Sequence, residues 1–487
     1  MAEGLQGAGD FIIEELKLIT SNSVEIDLRP QVIGINLFES ITDMSVSGTI
    51  AIQDPANVVS NGPIIGQEYL HLKIKTPLFD NEGANIDFKD NAFFVHTVSK
   101  RQQIGNGVQG VVLSFVSAEL VKNQRLKVTK KLEGTWSDIV EDMLLKEIKT
   151  GKKVIIENSV GVKKLIAPNI RPLDIAVMSA RQAVALHKAQ PTFLFYESLK
   201  GFNFRSLASL YNEPALLEYT PHIAGGNVNR GMVDIKKDLS TILDYEIVSN
   251  NDSLTNYRTG MYGSELIVHD ILSKSFIKQI YNYHDSFDNE EHIVGGGGDG
   301  KPEYPLISDI MVEDEDGGRR VSDYPARTFL LPTSLVNGSD SQHITPNGSF
   351  SYSGYDPQTW VQRRHSQMLQ LENGFNINIV VHGNTLISAG NKVDVNIPYT
   401  AAVKSAGKDQ NDKFYSGPFL VKKIRHEFDM TSSPRKHKMY MNLVKDSLEE
   451  KLGAGGPTEP SKIFNNHLNM IMDIVHNIIS FDANRAI

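Results

Sequence analysis

The chain of 487 residues contains no cysteine, which excludes disulfides, thiolate metal sites and cysteine nucleophiles. No apolar run approaches the roughly 18 residues that cross a bilayer as a helix. The opening "MAEGLQGAGDF" has neither the basic nor the apolar region of a secretory signal. An excess of basic residues is missing too: 49 Lys and Arg stand against 58 Asp and Glu, a formal charge of −9. Gripping nucleic acid needs clustered cations, so this balance argues against such a task. The sequence also lacks G-x-S-x-G, H-E-x-x-H and a Walker loop, and with them the common signatures of hydrolases and nucleotide enzymes.

What is present starts with ordinary globular composition, 40% apolar and 22% charged, at a length suggesting roughly three domains. The stretch "RQQIGNGVQGVVLSFVS" places Gly105, Gly107 and Gly110 in G-x-G-x-x-G spacing. A dinucleotide loop needs a strand before it and a helix directly after it. Here "VVLSFVS" follows, alternating Val111, Leu113 and Phe115 against Val112, Ser114 and Val116. That is strand periodicity, and Gly-Asn-Gly between two strands is tight-turn chemistry. The motif reads as a hairpin.

The two ends of the chain resemble each other. "IIGQEYLHLKIKTP" carries Gly66, then Leu70, Leu72 and Ile74; "LISAGNKVDVNIP" carries Gly390, then Val393, Val395 and Ile397. Next, Phe93, Val95 and Val98 of "FFVHTVSK" align with Phe419, Val421 and Ile424 of "FLVKKIRH". Gly66 precedes Phe93 by 27 residues and Gly390 precedes Phe419 by 29. Returning strands follow in both, "VVLSFVS" and "KMYMNLV". A third match pairs "SGTIAIQD" (47–54) with "YGSELIVHD" (262–270). Three matches in one order indicate a duplicated β unit, and short alternating strands favour small antiparallel barrels.

Between the copies, "GTWSDIVEDMLLKEI" puts Trp136, Ile139, Val140, Met143 and Leu144 on one helical face behind Thr135 as N-cap. "RPLDIAVMSARQAVALH" is a second helix with Pro172 in its first turn. Phe193, Phe195, Phe202 and Phe204 alternate around Lys200-Gly201 as a hairpin. An insertion at about 286–374 holds "GGGGDG" and the acidic run "EDEDGG" (313–318), and ends in a helix bracketed by Asp356-Pro357 and Asn373-Gly374. After "GAGGPTEPS", the residues Phe464, Leu468, Ile471, Val475 and Ile478 follow 4-3-4-3 spacing. Such a stripe suits a coiled coil or a partner's groove, or packing on its own chain.

Polar clusters yield little chemistry. His284, Asp285, Asp288, Glu290, Glu291 and His292 are crowded, yet no two histidines share a helical face, so a solvated loop is expected. The run after Asp314 has Pro325 where a calcium loop needs a bidentate Glu. His365 belongs to no nucleophile motif and reads as a surface or packing residue, and His426 and Glu427 point to opposite faces of a strand. Arg435, Lys436 and Lys438 form a basic patch in a hairpin turn: a solvated turn, or a contact with an acidic neighbouring subunit. No cofactor and no metal site is expected.

Three segments carry a resemblance: "SGTIAIQDPANVVSNGPIIGQEYLHLKIKTP", "LSFVSAELVKNQRLKVTKKLEGTWSDIVEDML" and "FLFYESLKGFNFRSLASLY". Together with the closing "SGPFLVKKIRHEFD" they resemble the baseplate central hub protein of contractile-tailed (myovirus) bacteriophages. The resemblance covers most of 10–285 and 375–448; the insertion and the residues after Gly453 have no counterpart.

It implies a mainly β fold with α+β parts: two tube-like antiparallel β-barrel domains per chain, a small α/β domain between them and an insertion in the second barrel. The expected division is a first barrel at 1–122, the α/β domain at 123–239, and a second barrel at 240–285 and 375–450. The insertion is 286–374, and 451–487 is a linker with an amphipathic helix. The family further implies a non-enzymatic homotrimer in the virion tail, assembled in the bacterial host cytoplasm. Its partners are the tail tube protein, the central spike protein and baseplate wedge proteins. Neither a membrane nor specific nucleic-acid binding is implied. Two similar barrels in each of three chains offer six near-equivalent sites to a sixfold tube and three to a spike. A neutral or acidic lumen would let DNA pass without holding it. Alternatives from the sequence are the hub of a bacterial contractile injection system, a tail-associated cell-wall hydrolase with a carboxylate pair in the insertion, and glycan binding by that insertion.

Overall fold

The computed structural model describes residues 7–55, 57–76, 85–105, 107–221, 235–249, 252–270, 274–295, 311–312, 319–333, 360–398, 411–412, 414–432 and 435–449. The fold is mainly β.

The N-terminal part comprises β1 (Ile12–Ile19), β2 (Glu25–Asp27), β3 (Val32–Ser40), β4 (Ser47–Asp54), β5 (Tyr69–Lys75), β6 (Ile86–Gly105) and β7 (Val108–Ser117). They hydrogen-bond in the order β2-β1-β5-β6-β7-β4-β3. Alternate residues of all six longer strands enter one core, among them Leu16, Leu37, Ile50, Leu72, Phe93 and Phe115. Sheet curvature follows from this: six strands can share a single core only by rolling around it. Each such side chain contributes about 1.5–3 kcal/mol by leaving water. The gap between β1 and β3 is bridged at Leu28, whose N–H donates to Leu16 O at 3.0 Å and whose carbonyl accepts from Val32 N at 3.0 Å. Gly105 and Gly107 lie at the β6–β7 turn, Gly107 with φ of 75°, and a strand follows, as the sequence predicts.

The α/β unit holds β8 (Lys131–Gly134), β9 (Val154–Ile156), β10 (Lys163–Ile166), β11 (Phe193–Ser198) and β12 (Gly201–Ser206). Helix Trp136–Asp142 begins at Thr135 with a full capping box to Asp138 and continues as a π-helical turn over Met143–Ile148. Helix Pro172–Gln182 packs beside it over Phe193, Phe195, Phe202 and Phe204. The opposite face of the same hairpin, Leu194 and Tyr196, packs against Leu420 and Val444 of the C-terminal strands. The hairpin is therefore buried on both sides, which explains its density in aromatic residues.

Further on come β13 (Glu218–Pro221), β14 (Thr241–Ser249), β15 (Gly263–Asp270), β16 (Ser275–Asn282), β17 (Met311–Val312), β18 (Arg319–Arg320), β19 (Arg327–Thr333), β20 (Phe375–His382), β21 (Lys392–Val395), β22 (Gly417–Asp429) and β23 (Lys436–Lys445). Strands β22-β21-β13-β14-β20-β23 form a ring that closes through β22–β23. Only β13 runs parallel to its ring neighbours. It enters from the α/β unit and not through a hairpin.

The duplication is visible bond by bond. Leu70 pairs with Phe93 as Val393 pairs with Phe419. A bulge at His96 interrupts β6 against β7, and one at Lys422 interrupts β22 against β23. Bulges between Val32 and Gly34 of β3, and between Ile242 and Asp244 of β14, also correspond. Gly66 and Gly390 share a left-handed φ, 93° and 90°. Thus β3, β4, β5, β6 and β7 match β14, β20, β21, β22 and β23.

The third sequence match is corrected. The counterpart of β4 is β20, which pairs with β23 as β4 pairs with β7. Strand β15, within the 262–270 match, lies instead between β16 and β19 in a separate sheet. So β15 and β16, expected in the second barrel, associate with a strand of the expected insertion, and β13, expected in the α/β domain, joins the ring. The reason is that alternation specifies which face of a strand is buried and says nothing about its neighbour.

Candidate functional site

Strand β22 pairs on one side with β23 of its own ring and on the other with β3 of the N-terminal barrel, from Lys423↔Ser40 to Asp429↔Gly34. One unbroken sheet, β6-β7-β4-β3-β22-β23-β20-β14, therefore runs across both barrels. Its inward side chains fill the two cores. Its outward side chains form a single polar face, in rows set by the register. Thr49 lies opposite Asn36, which lies opposite Glu427, and Glu427 lies opposite Lys438.

Side chains link these rows. Asn36 Nδ2 donates to Thr49 Oγ1 at 3.5 Å, and Arg425 Nε donates to Asn36 Oδ1 at 3.0 Å. Arg425 also pairs with Glu427 at 3.1 Å and stands over the Tyr440 ring at 5.0 Å. Beyond it, Asn442 donates to Asn378 at 2.9 Å and Asn378 to Glu246 at 3.5 Å. The hydrogen bond to Glu427, and after it burial, pushes the Tyr440 hydroxyl pKa up. On β14, β22 and β23, Lys423, Arg425, Lys436 and Lys438 are matched by Asp244, Glu246, Glu427 and Asp429, so this part of the face is close to neutral while the chain is acidic. A shallow groove runs along it past Phe38, Asp244, Asn378, Lys423, Arg425 and Tyr440.

Behind the face, buried polar groups lock the barrels together. Glu39 of β3 accepts from Leu199 N at 2.9 Å and holds His426 Nε2 at 3.1 Å. His426 Nδ1 in turn meets His437 Nε2 at 3.1 Å. No solvent reaches this line, and burial holds the His437 imidazole well below its ordinary pKa. Below the N-terminal barrel, Lys152 Nζ lies 2.7 Å from Glu119, 2.6 Å from Glu197 and 2.5 Å from Ser117 Oγ. Glu197 also accepts from Val46 N at 2.9 Å, tying the α/β unit to the start of β4. These two carboxylates face a lysine in a sealed site beside Phe88, Phe93 and Phe202, not a cleft.

The polar residues singled out in the sequence fall into different roles. The 284–292 cluster is not a solvated loop at its end: Glu290 and His292 are buried. Arg363 forks onto Glu290 at 2.7 and 2.8 Å. His292 Nδ1 meets Asp446 at 2.8 Å and Nε2 meets the Phe287 carbonyl at 2.8 Å. Both partners only accept, so the ring is an imidazolium, in line with its raised pKa; burial opposes that shift and Asp446 drives it. His365 is a packing residue, with Nε2 at 2.9 Å from Thr259 O and its ring edge-on to Phe329. His426 and Glu427 do face opposite sides. Lys436 and Lys438 lie across from Asp429 and Glu427 of their own chain. Among the described residues, no group of three or more His, Cys, Asp or Glu could hold a metal ion. The stripe Phe464, Leu468, Ile471, Val475 and Ile478 and the 313–318 run lie outside the described residues. Sequence reading missed Asn36, Thr49, Asn378 and Asn442; the signal available was the polar side of alternating strands, which by itself marks only solvent.

A pH dependence follows from His437. Its pKa is lowered in the folded chain relative to about 6.5 unfolded, so the unfolded chain binds more protons below that pH. Stability is fully present above pH 6.5 and falls as the pH drops, by up to about 1.4 kcal/mol per unit. The His437→Gln variant should show a flatter stability profile than the parent between pH 6.5 and 4.5 in urea titrations. Equal slopes would contradict the assignment. His292 acts with the opposite sign: its stabilisation is lost as pH rises through its raised pKa.

No protein-family model matches the chain, and none of the curated proteins matches it in sequence. Among solved structures, it is similar in outline to the tail protein from Neisseria meningitidis MC58, at 10% identity and TM-score 0.46, over 89% of this chain and 96% of that one. The 43 kDa tail protein of prophage MuSo2 from Shewanella oneidensis gives 12% identity and TM-score 0.46, over 89% and 98%. The E. coli c3393 protein, a component of the type VI secretion system with structural similarity to the T4 tail proteins gp27 and gp5, gives 10% and 0.38, over 90% and 76%. At these values the likeness is one of outline, and the observed strand pairing carries the fold.

Proposed function

We propose that this chain is the structural hub of a phage tail baseplate, a homotrimeric ring that adapts a sixfold tail tube to a threefold central spike and surrounds a channel for DNA. The observation that carries the reading is the internal duplication: two barrels matched in strand order, in pairing and at two bulge positions, and joined into one sheet with one polar face. Three copies would present six near-equivalent barrels to a tube and three sets of the remaining parts to a spike and wedges. The near-neutral polar face suits a channel wall, since it offers phosphates no net attraction. In this reading the chain is not an enzyme and works in the virion. The domain division at 122, 239, 285 and 374 belongs to the same proposal, amended so that Gly263–Asn282 goes with the inserted part and Glu218–Pro221 with the second barrel.

Light scattering of the purified chain, alone and with the spike protein, should give a trimer; a monomer under both conditions at high concentration would sink the hub reading. The stripe at Phe464, Leu468, Ile471, Val475 and Ile478 is proposed as a partner interface. Ile471→Asp should weaken assembly while leaving the barrels folded, because an uncompensated charge in an apolar contact costs several-fold to a hundredfold in affinity or more. Unchanged assembly would remove that interface.

A further inference from the structure

The eight-strand sheet has two edges that no described strand pairs. On β14, pairing with β13 stops at Thr241 and Ile242, so residues from Leu243 onward are bonded only to β20. On β6, pairing with β5 stops at Phe94, so residues from Thr97 onward are bonded only to β7. Both edges are exposed: Leu243 to Glu246 on one, Lys100 to Gly105 on the other. An exposed strand edge is a template for another strand.

The chain already contains the contact these edges would make. By the duplication, β14 is the counterpart of β3 and β6 the counterpart of β22, and β3 and β22 are bonded edge to edge. Resting on the trimeric reading above, we infer that β14 of one copy pairs antiparallel with β6 of the next, repeating the β3–β22 junction between chains. The occupant is thus a second copy of this chain.

The register can be read off. Asn36 lies opposite Glu427 within the chain. The counterpart of Asn36 is Glu246, since both face the matched residues Thr49 and Asn378. The counterpart of Glu427 is Gln102, opposite Gly110 as Glu427 is opposite Lys438. Glu246 therefore faces Gln102. Each edge then carries one residue more than its counterpart. The extra residue of β6 lies between Ser99 and Gln102, and that of β14 between Ile247 and Ser249. The two additions fall opposite each other, so Ile247 meets Arg101, Val248 meets Lys100 and Ser249 meets Ser99 without a break. That compensation is what a pairing between these edges requires, and neither intrachain ladder explains it. Charge agrees: Glu246 of one edge, opposite Gln102, lies diagonal to Lys100 of the other, and opposite charges so placed attract.

The absence of cysteine allows a test without background. In the full-length chain, Glu246→Cys with Gln102→Cys should form a disulfide under mild oxidation, seen as covalent trimers on non-reducing gels and abolished by reductant. Asn36→Cys with Glu427→Cys is the matching intrachain pair and should stay a cross-linked monomer, which also reports that the barrels are folded. Glu246→Cys with Gln103→Cys, one residue out of register on the opposite face, should cross-link at least several-fold less. Covalent species beyond the trimer would support the edge pairing and overturn the closed ring. A trimer by light scattering that never cross-links at Glu246 and Gln102 overturns the edge pairing and leaves the hub reading standing. A chain that stays monomeric with the intrachain control intact overturns both.

Discussion

Lys152→Met should lower the stability of the chain by about 3–5 kcal/mol, the range for breaking a buried ion cluster by removing one partner. The reason lies in the charge left behind. Lys152 is the cation that pairs with both Glu119 and Glu197, whose side chains are 4% and 0% exposed. Burial pushes the Glu197 carboxyl up, opposed by Lys152, while for Glu119 burial is overcome by the pull of Lys152 and the group stays low. Without the lysine, one carboxylate must take up a proton or remain unpaired in an apolar site. The triple variant Lys152→Met, Glu119→Gln, Glu197→Gln should recover a substantial part of the loss, because neutral amides carry less desolvation penalty. Chemical denaturation of the three proteins checks this. If Lys152→Met costs less than about 1 kcal/mol, well under the range for a buried pair, the cluster does not hold the α/β unit to the barrel.

The second large effect concerns the polar face. The unmodified chain should show no salt-dependent affinity for double-stranded DNA, because its cations on that face are matched by acids. Thr49→Lys, Ser114→Lys and Asn378→Lys place three cations on the same face of the sheet, the first two opposite each other on β4 and β7 and the third on β20, opposite Asn442. Each added contact to a phosphate steepens the fall of log affinity with log salt by about 0.9. With three such contacts, tightening by roughly two to three decades at low salt is expected, lost on raising salt several-fold. A gel-shift or anisotropy titration at two salt concentrations reads it. Comparable binding by the parent would contradict a passive channel wall; an unchanged triple variant would mean that this face does not meet DNA.

Much of the local structure was legible in advance. The Gly105–Gly107 turn followed from the alternation after it, and the helix start at Thr135 from an N-cap residue ahead of an apolar stripe; the capping box to Asp138 came from the structure. Gly66 and Gly390 were matched from their neighbours and do share a left-handed backbone. The misplacement of 262–270 shows where such reading stops. "YGSELIVHD" and "SGTIAIQD" share a Gly, an alternating run and a closing Asp, so they share a burial pattern, yet β15 and β4 have different partners. In the same way, Glu290 and His292 looked solvated because the residues that neutralise them, Arg363 and Asp446, lie far along the chain.

By itself, then, the sequence determined a chain without cysteine chemistry, built from hairpins and containing one β unit twice. Those features depend on neighbours a few residues apart, where steric and alternation rules act. Only the tertiary structure decided that β22 joins β3, that β20 and not β15 completes the second ring, and that Asn36, Arg425 and Asn378 share one face. A strand edge offers the same backbone donors and acceptors to any partner, so which strand fills it is chosen by how whole cores pack, a comparison that no local pattern records.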